Sequence, residues 1–274
     1  MDKWTGVLRL SMEKKRDKTV TKQMYFQGAF KMLRPHYFDN SGQACYFLIN
    51  PGGGYVDGDR YRMEIKLEEQ AELILTTQSA TKVYKTPNTP VLQENEIILK
   101  KGSVLEYIPD PLIAYRDAKY KQNTIIKMER GATLFYNDIL TPGWSPDGEW
   151  FRYELIQLKN EIYLDGKLII FDHLKLQPDE TGVNGIGYME GYTHLGSMIV
   201  ISEKVNEDVL QRLYGVIEKD LGECKAGLSL LTEGGFTLRI LAHSTQKIEE
   251  LMAACSAFLR KEWYGRHPVT LRKY

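Results

Sequence analysis

Residues 50–85 read NPGGGYVDGDRYRMEIKLEEQAELILTTQSATKVYK, and the fold is decided here. Met63, Ile65 and Leu67 alternate with Glu64, Lys66 and Glu68, and Ala71, Leu73 and Leu75 resume the alternation around Glu72. A side-chain period of two belongs to β-strands with one buried face. Ahead of these strands, Pro51 and the run Gly52 to Gly54 require a sharp turn or a close backbone approach, because glycine alone takes positive φ at no steric cost. The polar run from Thr76 to Lys82 ends the second strand. Asp57, Asp59, Arg60 and Lys82 therefore fall in turns or at strand ends, where a rigid sheet can hold a cluster of side chains.

Outward from this stretch the strand pattern continues on both sides. Short apolar segments at 5–11, 19–25 and 45–49 precede it, and others follow at 97–99, 104–108, 124–128, 133–140, 151–158 and 167–176. The turns KKGS at 100, RGAT at 130 and DGK at 165 are short, which predicts antiparallel neighbours, and the crossover helices of a doubly wound sheet are missing. No repeat of fixed period is visible. From about Asn206 the period changes. Val205, Val209, Leu210, Leu213 and Ile217 share one helical face, with Asn206 or Ser202 placed to cap it. A hairpin around 232–235 follows, then a second helix behind Ser244 with Ile248, Leu251, Met252, Cys255, Phe258 and Leu259. The reading is an all-β body over 1–202 and an α-β-β-α portion over 203–274 packed on it.

Composition bounds the function. The 274 residues are 43% hydrophobic and 26% charged, ordinary for a soluble globular chain with a sizeable core. Thirty-six basic and thirty-six acidic residues cancel, which removes the electrostatic footprint of a nucleic-acid binder or of a surface that seeks anionic lipid. The N-terminal sequence lacks the apolar core of a signal peptide, and no apolar run is long enough to span a bilayer, so a cytoplasmic location and no membrane are expected. Cys45, Cys224 and Cys255 are far apart with no CxxC spacing, which argues for reduced, buried thiols.

The glycine run fails the nucleotide-binding patterns. No third glycine completes GxGxxG, and Gly58-Asp59-Arg60 stands where a phosphate-binding loop needs Gly-Lys-Ser/Thr. His36, His173, His194, His243 and His267 are scattered, with no HExxH and no GxSxG elbow, so no catalytic constellation declares itself. An enzyme is not expected. From residue chemistry alone the glycine run is a tight turn, Asp57 and Asp59 are solvated turn residues, and 76–82 is a polar strand end. In Tyr107-Ile108-Pro109-Asp110-Pro111 the prolines stiffen an extended turn, and Asp110, Arg116 and Asp117 are close enough in sequence for an arginine–carboxylate pair to lock it.

Five strings in order, NPGGG, GDRY, TTQSATKVYK, YIPDPLIAYRDAKY at 107–120 and NDILTPGW at 137–144, resemble the UreD family of urease accessory proteins, called UreH in some bacteria. The resemblance covers most of the chain. It implies a mainly β fold, an elongated β-helix-like stack of strands with a smaller helical C-terminal portion. It also implies a non-enzymatic scaffold for nickel insertion that binds apo-urease and UreF, with the GTPase UreG reached through UreF, in a dimeric higher complex with UreF. Nickel would be in transit through a polar tunnel, with no cofactor tightly bound. On this basis Asp59, Ser79, Thr81, Lys82, Asp110, Arg116 and Asp138 are tunnel candidates, with Asp59 and Asp138 as transient metal ligands; oxygen donors suit an ion that must be released onward. Trp263, Tyr264 and Arg266, in a basic and aromatic tail that also holds Arg260, Lys261 and Arg272, are partner-surface candidates. The alternatives are a carbohydrate-active or other small-molecule enzyme on a β-solenoid, which needs a cleft with converging carboxylates, and a plain interaction module.

Overall fold

A computed structural model describes residues 4–271. The strands are β1 (Gly6–Lys15), β2 (Lys18–Gly28), β3 (Lys31–Met32), β4 (Ala44–Ile49), β5 (Arg60–Leu67), β6 (Glu72–Thr77), β7 (Thr81–Val83), β8 (Val91–Leu99), β9 (Val104–Ile108), β10 (Leu112–Ala114), β11 (Lys119–Met128), β12 (Thr133–Leu140), β13 (Leu155–Leu164), β14 (Lys167–Leu176), β15 (His194–Ile201), β16 (Lys225–Leu231) and β17 (Gly235–Ala242). The helices are α1 (Pro178–Thr181), α2 (Glu207–Asp220) and α3 (Thr245–Tyr264). The chain is mainly β, and its strands stack as a solenoid.

Two sheets face each other. One has seven strands in the order β14-β13-β11-β8-β5-β1-β2, the other ten in the order β16-β17-β15-β12-β9-β6-β4-β3, with β7 and β10 beside it. From β4 to β13 the backbone alternates between them, so each strand pairs with the one a full coil away. β1, β5, β8, β11 and β13 pair in parallel, as do β4, β6, β9 and β12. The antiparallel expectation is thus corrected through the centre of the body. The short turns at 100–103 and 129–132 are corners that carry the chain from one sheet to the other, and only the turn at 165 closes a hairpin, β13–β14. A corner and a hairpin loop have the same local sequence demands, so turn length does not separate them.

The coils also differ in length. Met63 pairs with Asn95, Asn95 with Thr124 and Thr124 with Asn160, offsets of 32, 29 and 36 residues. Unequal coils conceal the repeat from any search for a fixed period.

The alternation read at 63–75 holds in space. Met63, Ile65 and Leu67 are buried between the sheets, as are Leu73 and Leu75 from the opposite sheet, each worth roughly 1.5–3 kcal/mol on burial. The intervening Glu64 and Lys66 lie on the outer face, where Arg9 and Arg62 reach Glu64 at 2.7 Å and Lys66 reaches Glu68 at 2.9 Å. Such exposed pairs keep the face soluble and add little stability.

A second apolar cluster covers the outer side of the ten-stranded sheet. Phe135, Ile139, Met198, Val200 and Leu238 face it from the strands, and Val209, Leu213, Ile217, Leu251 and Leu259 from α2 and α3. The Asn206 side chain caps α2 by accepting from Val209 N at 2.9 Å, and Ser244 caps α3 from Lys247 N at 3.3 Å. β15, which the sequence pattern did not single out, joins β12 on one side to the β16–β17 hairpin on the other. Cys45 and Cys255 are buried and Cys224 partly so, and none of the three is in a disulfide. Among the described residues no helix is long and apolar enough to cross a membrane.

Candidate functional site

The two rims of the solenoid differ. Corners at 68–71, 100–103 and 129–132 are tight, whereas the connections at 50–59, 78–90, 109–118 and 141–154 are long and lie along the opposite rim. All five strings quoted above border or fill those long connections. Successive loops are hydrogen bonded to one another: Tyr55 bridges Val83, β7 pairs with β10, and Tyr115 bridges Trp144. Tyr84, Tyr115 and Trp144 stack up this rim at centroid distances of 4.8 and 4.9 Å.

The glycine run makes the first of these contacts possible. Tyr55 N donates to Lys82 O at 2.8 Å, and a Cβ on Gly54 would lie 2.9 Å from that oxygen and 2.6 Å from the Tyr84 ring. Glycine is needed for close approach, as the sequence suggested. Asp59 then locks the turn. Its Oδ1 accepts from Thr5 Oγ1 at 2.9 Å, and its Oδ2 accepts from Val56 N at 2.8 Å and from the Tyr61 hydroxyl at 2.9 Å. Ser79, Thr81 and Lys82 line a hollow of about 30 Å³ together with Gly53, Gly54, Tyr55 and Thr77, and Asp59 is not part of its wall. Asp110 is brought to the same strand end, where Thr77 Oγ1 donates to its carboxylate at 2.7 Å. The ion-pair partners of Arg116 and Asp117 are Asp147 at 3.0 Å and Lys85 at 2.7 Å, so each clips one loop of the rim to a neighbouring loop.

From Asp59 a seam of polar side chains runs through the interior between the sheets. The Tyr61 ring stacks on Tyr55 with centroids 3.8 Å apart, and the Tyr55 hydroxyl donates to Gln93 Oε1 at 3.1 Å. The Tyr120 hydroxyl lies between Gln93 Oε1 at 3.0 Å and Gln122 Oε1 at 2.9 Å. Gln122 Nε2 donates to the Tyr136 hydroxyl at 3.2 Å, which donates to Asn160 Oδ1 at 3.3 Å. Asn160 Nδ2 lies 3.4 Å from Asp172, and Arg239 donates to the other oxygen of Asp172 at 2.5 Å. Asn95 and Thr124 form a parallel branch, with Gln93 Nε2 to Asn95 Oδ1 and Asn95 Nδ2 to Thr124 Oγ1 both at 3.1 Å. Gln93, Asn95, Gln122, Thr124 and Asn160 are each under a tenth exposed. Burial at that level is tolerated because every member finds partners within the network.

Asp138 lies at the far end. On β12 it shares the inward phase of Leu134, Tyr136 and Leu140, and together with Asn160, Asp172, Ser197 and Arg239 it surrounds a space of about 10 Å³. Removal from water pushes its carboxyl up to about 7, the nearby Asp172 adds to the shift, and Arg239 opposes it. Burial likewise raises the hydroxyls of Tyr107, Tyr120 and Tyr136, with the Asp138 charge contributing, so these phenols remain neutral donors. Side-chain exposures of 38% for Arg239 and 21% for Asp172 bring this end of the seam to solvent. Neutral carbonyl and hydroxyl oxygens, interrupted once by the stacked rings of Tyr61 and Tyr55, thus lie between a carboxylate at one rim and a carboxylate pair at the other end. Oxygen donors of this kind bind divalent ions weakly and exchange them readily. Among the described residues there is no group of three or more His, Cys, Asp and Glu placed to hold a metal.

Of the candidates read from sequence, Asp59, Thr81, Lys82 and Asp110 gather on the long-loop rim with exposed Ser79, Arg116 lies farther along that rim, and Asp138 stands at the far end of the seam. Trp263, Tyr264 and Arg266 are engaged within the chain. Trp263 packs on Phe135 with centroids 5.8 Å apart, Lys204 and Arg266 lie over the Tyr264 ring at 4.1 and 5.0 Å, and Arg266 is ion-paired with Glu72. Arg272 lies outside the described residues. The seam's own members, Gln93, Asn95, Gln122, Thr124, Asn160, Asp172 and Arg239, escaped the sequence reading. Their signal was present: in VLQENEIIL and YKQNTIIKM, amide and hydroxyl residues occupy the phase otherwise held by Val, Ile, Leu and Met.

Comparison with known proteins bears on what this arrangement serves. A family model described as UreD urease accessory protein matches residues 5–273. Proteins named urease accessory protein UreD are similar over their full lengths: one from Lachnoclostridium phytofermentans is 50% identical over 274 residues, covering 100% of each chain. Another from a Bacillus species is 47% identical over 272 residues, covering 99% of this chain and 100% of that one. One from Staphylococcus aureus is 40% identical over 273 residues, with 99% and 98% covered.

Proposed function

The chain belongs to the UreD family of urease accessory proteins, and from that premise we propose that it is a non-enzymatic scaffold for nickel insertion, with nickel as cargo passing along the interior seam. In this reading the long-loop rim at Asp59 and the Asp138–Asp172 end are the two mouths. The partners are apo-urease and UreF, with UreG reached through UreF in a dimeric higher complex in the cytoplasm. The observation that carries the reading is the unbroken contact series from Asp59 through Tyr61, Tyr55, Gln93, Tyr120, Gln122, Tyr136 and Asn160 to Asp172. An apolar core would have been simpler to build, since each buried amide carries a desolvation cost that only its partners offset. A row of such groups between two carboxylate ends has the donor chemistry to hand a hydrated cation onward without trapping it.

Loss of the chain should leave urease folded and expressed but short of nickel and inactive. The sharper test replaces both end carboxylates, Asp59→Asn with Asp138→Asn, which keeps side-chain volume and removes charge. Urease matured with this variant at limiting nickel should contain less metal while the accessory complex still co-purifies. Normal metal content in that urease returns both carboxylates to purely structural duty.

A further inference from the structure

Two rows of side chains face each other where the interior seam reaches solvent. From the ten-stranded sheet, Asp138, Ser197 and Arg239 stand in register across β12, β15 and β17, so all three side chains leave the same face. From the seven-stranded sheet, Asn160 and Asp172 stand in register across β13 and β14. Leu140, Leu158, Leu174 and Leu195 complete the wall of the space of about 10 Å³ between the rows. Among the described residues of that wall, the charged ones are Asp138, Asp172 and Arg239. The Arg239 guanidinium donates to Asp172 Oδ1 at 2.5 Å, which closes the gap between the sheets.

That space is about the smallest that admits one water, so a hydrated divalent cation reaches Asp138 only when part of the wall moves. Most of the wall is fixed. β12, β13 and β15 each have a strand on both sides, Tyr136 holds the Asn160 side chain, and Leu140 and Leu158 belong to the core. Arg239 is different. Its side chain is 38% exposed, and among the described residues its one side-chain hydrogen bond is the one to Asp172. An ion pair within reach of water holds weakly. A leucine in place of Arg239 would seal this end for good, whereas an arginine seals it with a positive charge that another cation can replace on Asp172. Turning the guanidinium outward uncovers two carboxylates and the Ser197 hydroxyl together.

We propose that Arg239 is the gate of this mouth: its guanidinium holds the cargo's place on Asp172 while the seam is empty, and swings outward when a divalent cation takes over the carboxylates. The inference rests on the nickel-route reading and deepens it. The step is an exchange of one cation for another, with no covalent bond formed or broken. Run backwards, the same exchange releases the ion, because the returning guanidinium competes for Asp172. The mouth therefore binds its cargo weakly.

Equilibrium dialysis of the full-length protein against nickel chloride tests the gate without urease. Arg239→Gln removes the competing charge, and its affinity for Ni²⁺ should exceed that of the wild type by at least about tenfold, since a cation beside the site no longer opposes the ion. Arg239→Met, also neutral, should give the same gain. Arg239→Lys keeps a cation on a flexible stem and should stay within about threefold of the wild type. Adding Asp172→Asn to Arg239→Gln should abolish the gain. A residue that merely pins the sheets together would, when replaced, lower stability without tightening nickel binding. Equal affinities for the wild type and the two neutral variants, a gain as large in R239K, or a gain that survives in R239Q with D172N would each overturn the gate. Those results leave the route standing, because urease matured with the Asp59→Asn, Asp138→Asn variant reads the route separately. Normal nickel in that urease removes route and gate together.

Discussion

The Arg260 guanidinium of α3 is ion-paired with the Glu106 carboxylate of β9, and their side chains are only 3% and 4% exposed. Gln43 completes the group by donating to Glu106 at 2.9 Å while accepting from Arg260. Burial still pushes the Glu106 carboxyl above the usual carboxylate range, with Arg260 and Gln43 pulling the other way. This contact fastens the last helix to the solenoid.

Removing one partner strands the other charge. Arg260→Met should cost about 3–5 kcal/mol of unfolding free energy, and Arg260→Met combined with Glu106→Leu should recover most of that loss, because a paired apolar replacement leaves no buried charge. Urea melts of the three chains measure it. If the double variant is as unstable as the single, the pair is not the source.

A pH effect follows from Asp138. A carboxyl in the unfolded chain titrates near about 4, while in the fold this one titrates at about 7. Between those values the folded state holds the extra proton, so stability falls as pH rises through that window and levels off above it. Asp138→Asn removes this contribution. The variant should gain stability relative to wild type as pH goes from 5 to about 8, up to about 1.4 kcal/mol for each pH unit crossed. Urea midpoints that keep a constant separation over that range would show that Asp138 ionises normally.

The glycine turn offers a matched pair. Gly54→Ala drives a Cβ into Lys82 O and the Tyr84 ring and should cost about 1–3 kcal/mol as overpacking. At Gly53 a Cβ meets nothing within 4 Å, and only the φ of 76° opposes it. Gly53→Ala should cost about 1 kcal/mol. Thermal melts that rank the two in the opposite order would contradict the close approach of β7.

Within the seam, Tyr136→Phe deletes the hydroxyl that accepts from Gln122 and donates to Asn160. Leaving those amides short of partners should cost about 1–3 kcal/mol despite the shape-preserving change. Tyr25→Phe removes a hydroxyl that reaches only the exposed Gln27 and should be nearly silent. Equal losses from the two variants would mean that the seam is not a cooperative network.

The sequence by itself determined which residues point inward. Period-two alternation is written into each strand, so the apolar face of 63–75, the helical faces of α2 and α3 and the need for glycine at 54 could all be read locally, and the five ordered strings identified the family. Tertiary structure alone decided which strand lies beside which. Parallel pairing joins positions a whole coil apart, such as Asn95 to Thr124 across 29 residues, and a corner turn looks like a hairpin turn until the next strand is placed. It also decided that Gln93, Gln122 and Asn160, each an unremarked polar residue in its own strand, meet in one seam. The reason is physical: a strand's own atoms fix the direction of its side chains, but its hydrogen-bonding edges are satisfied only by another strand, and the identity of that neighbour is a property of the assembled sheet.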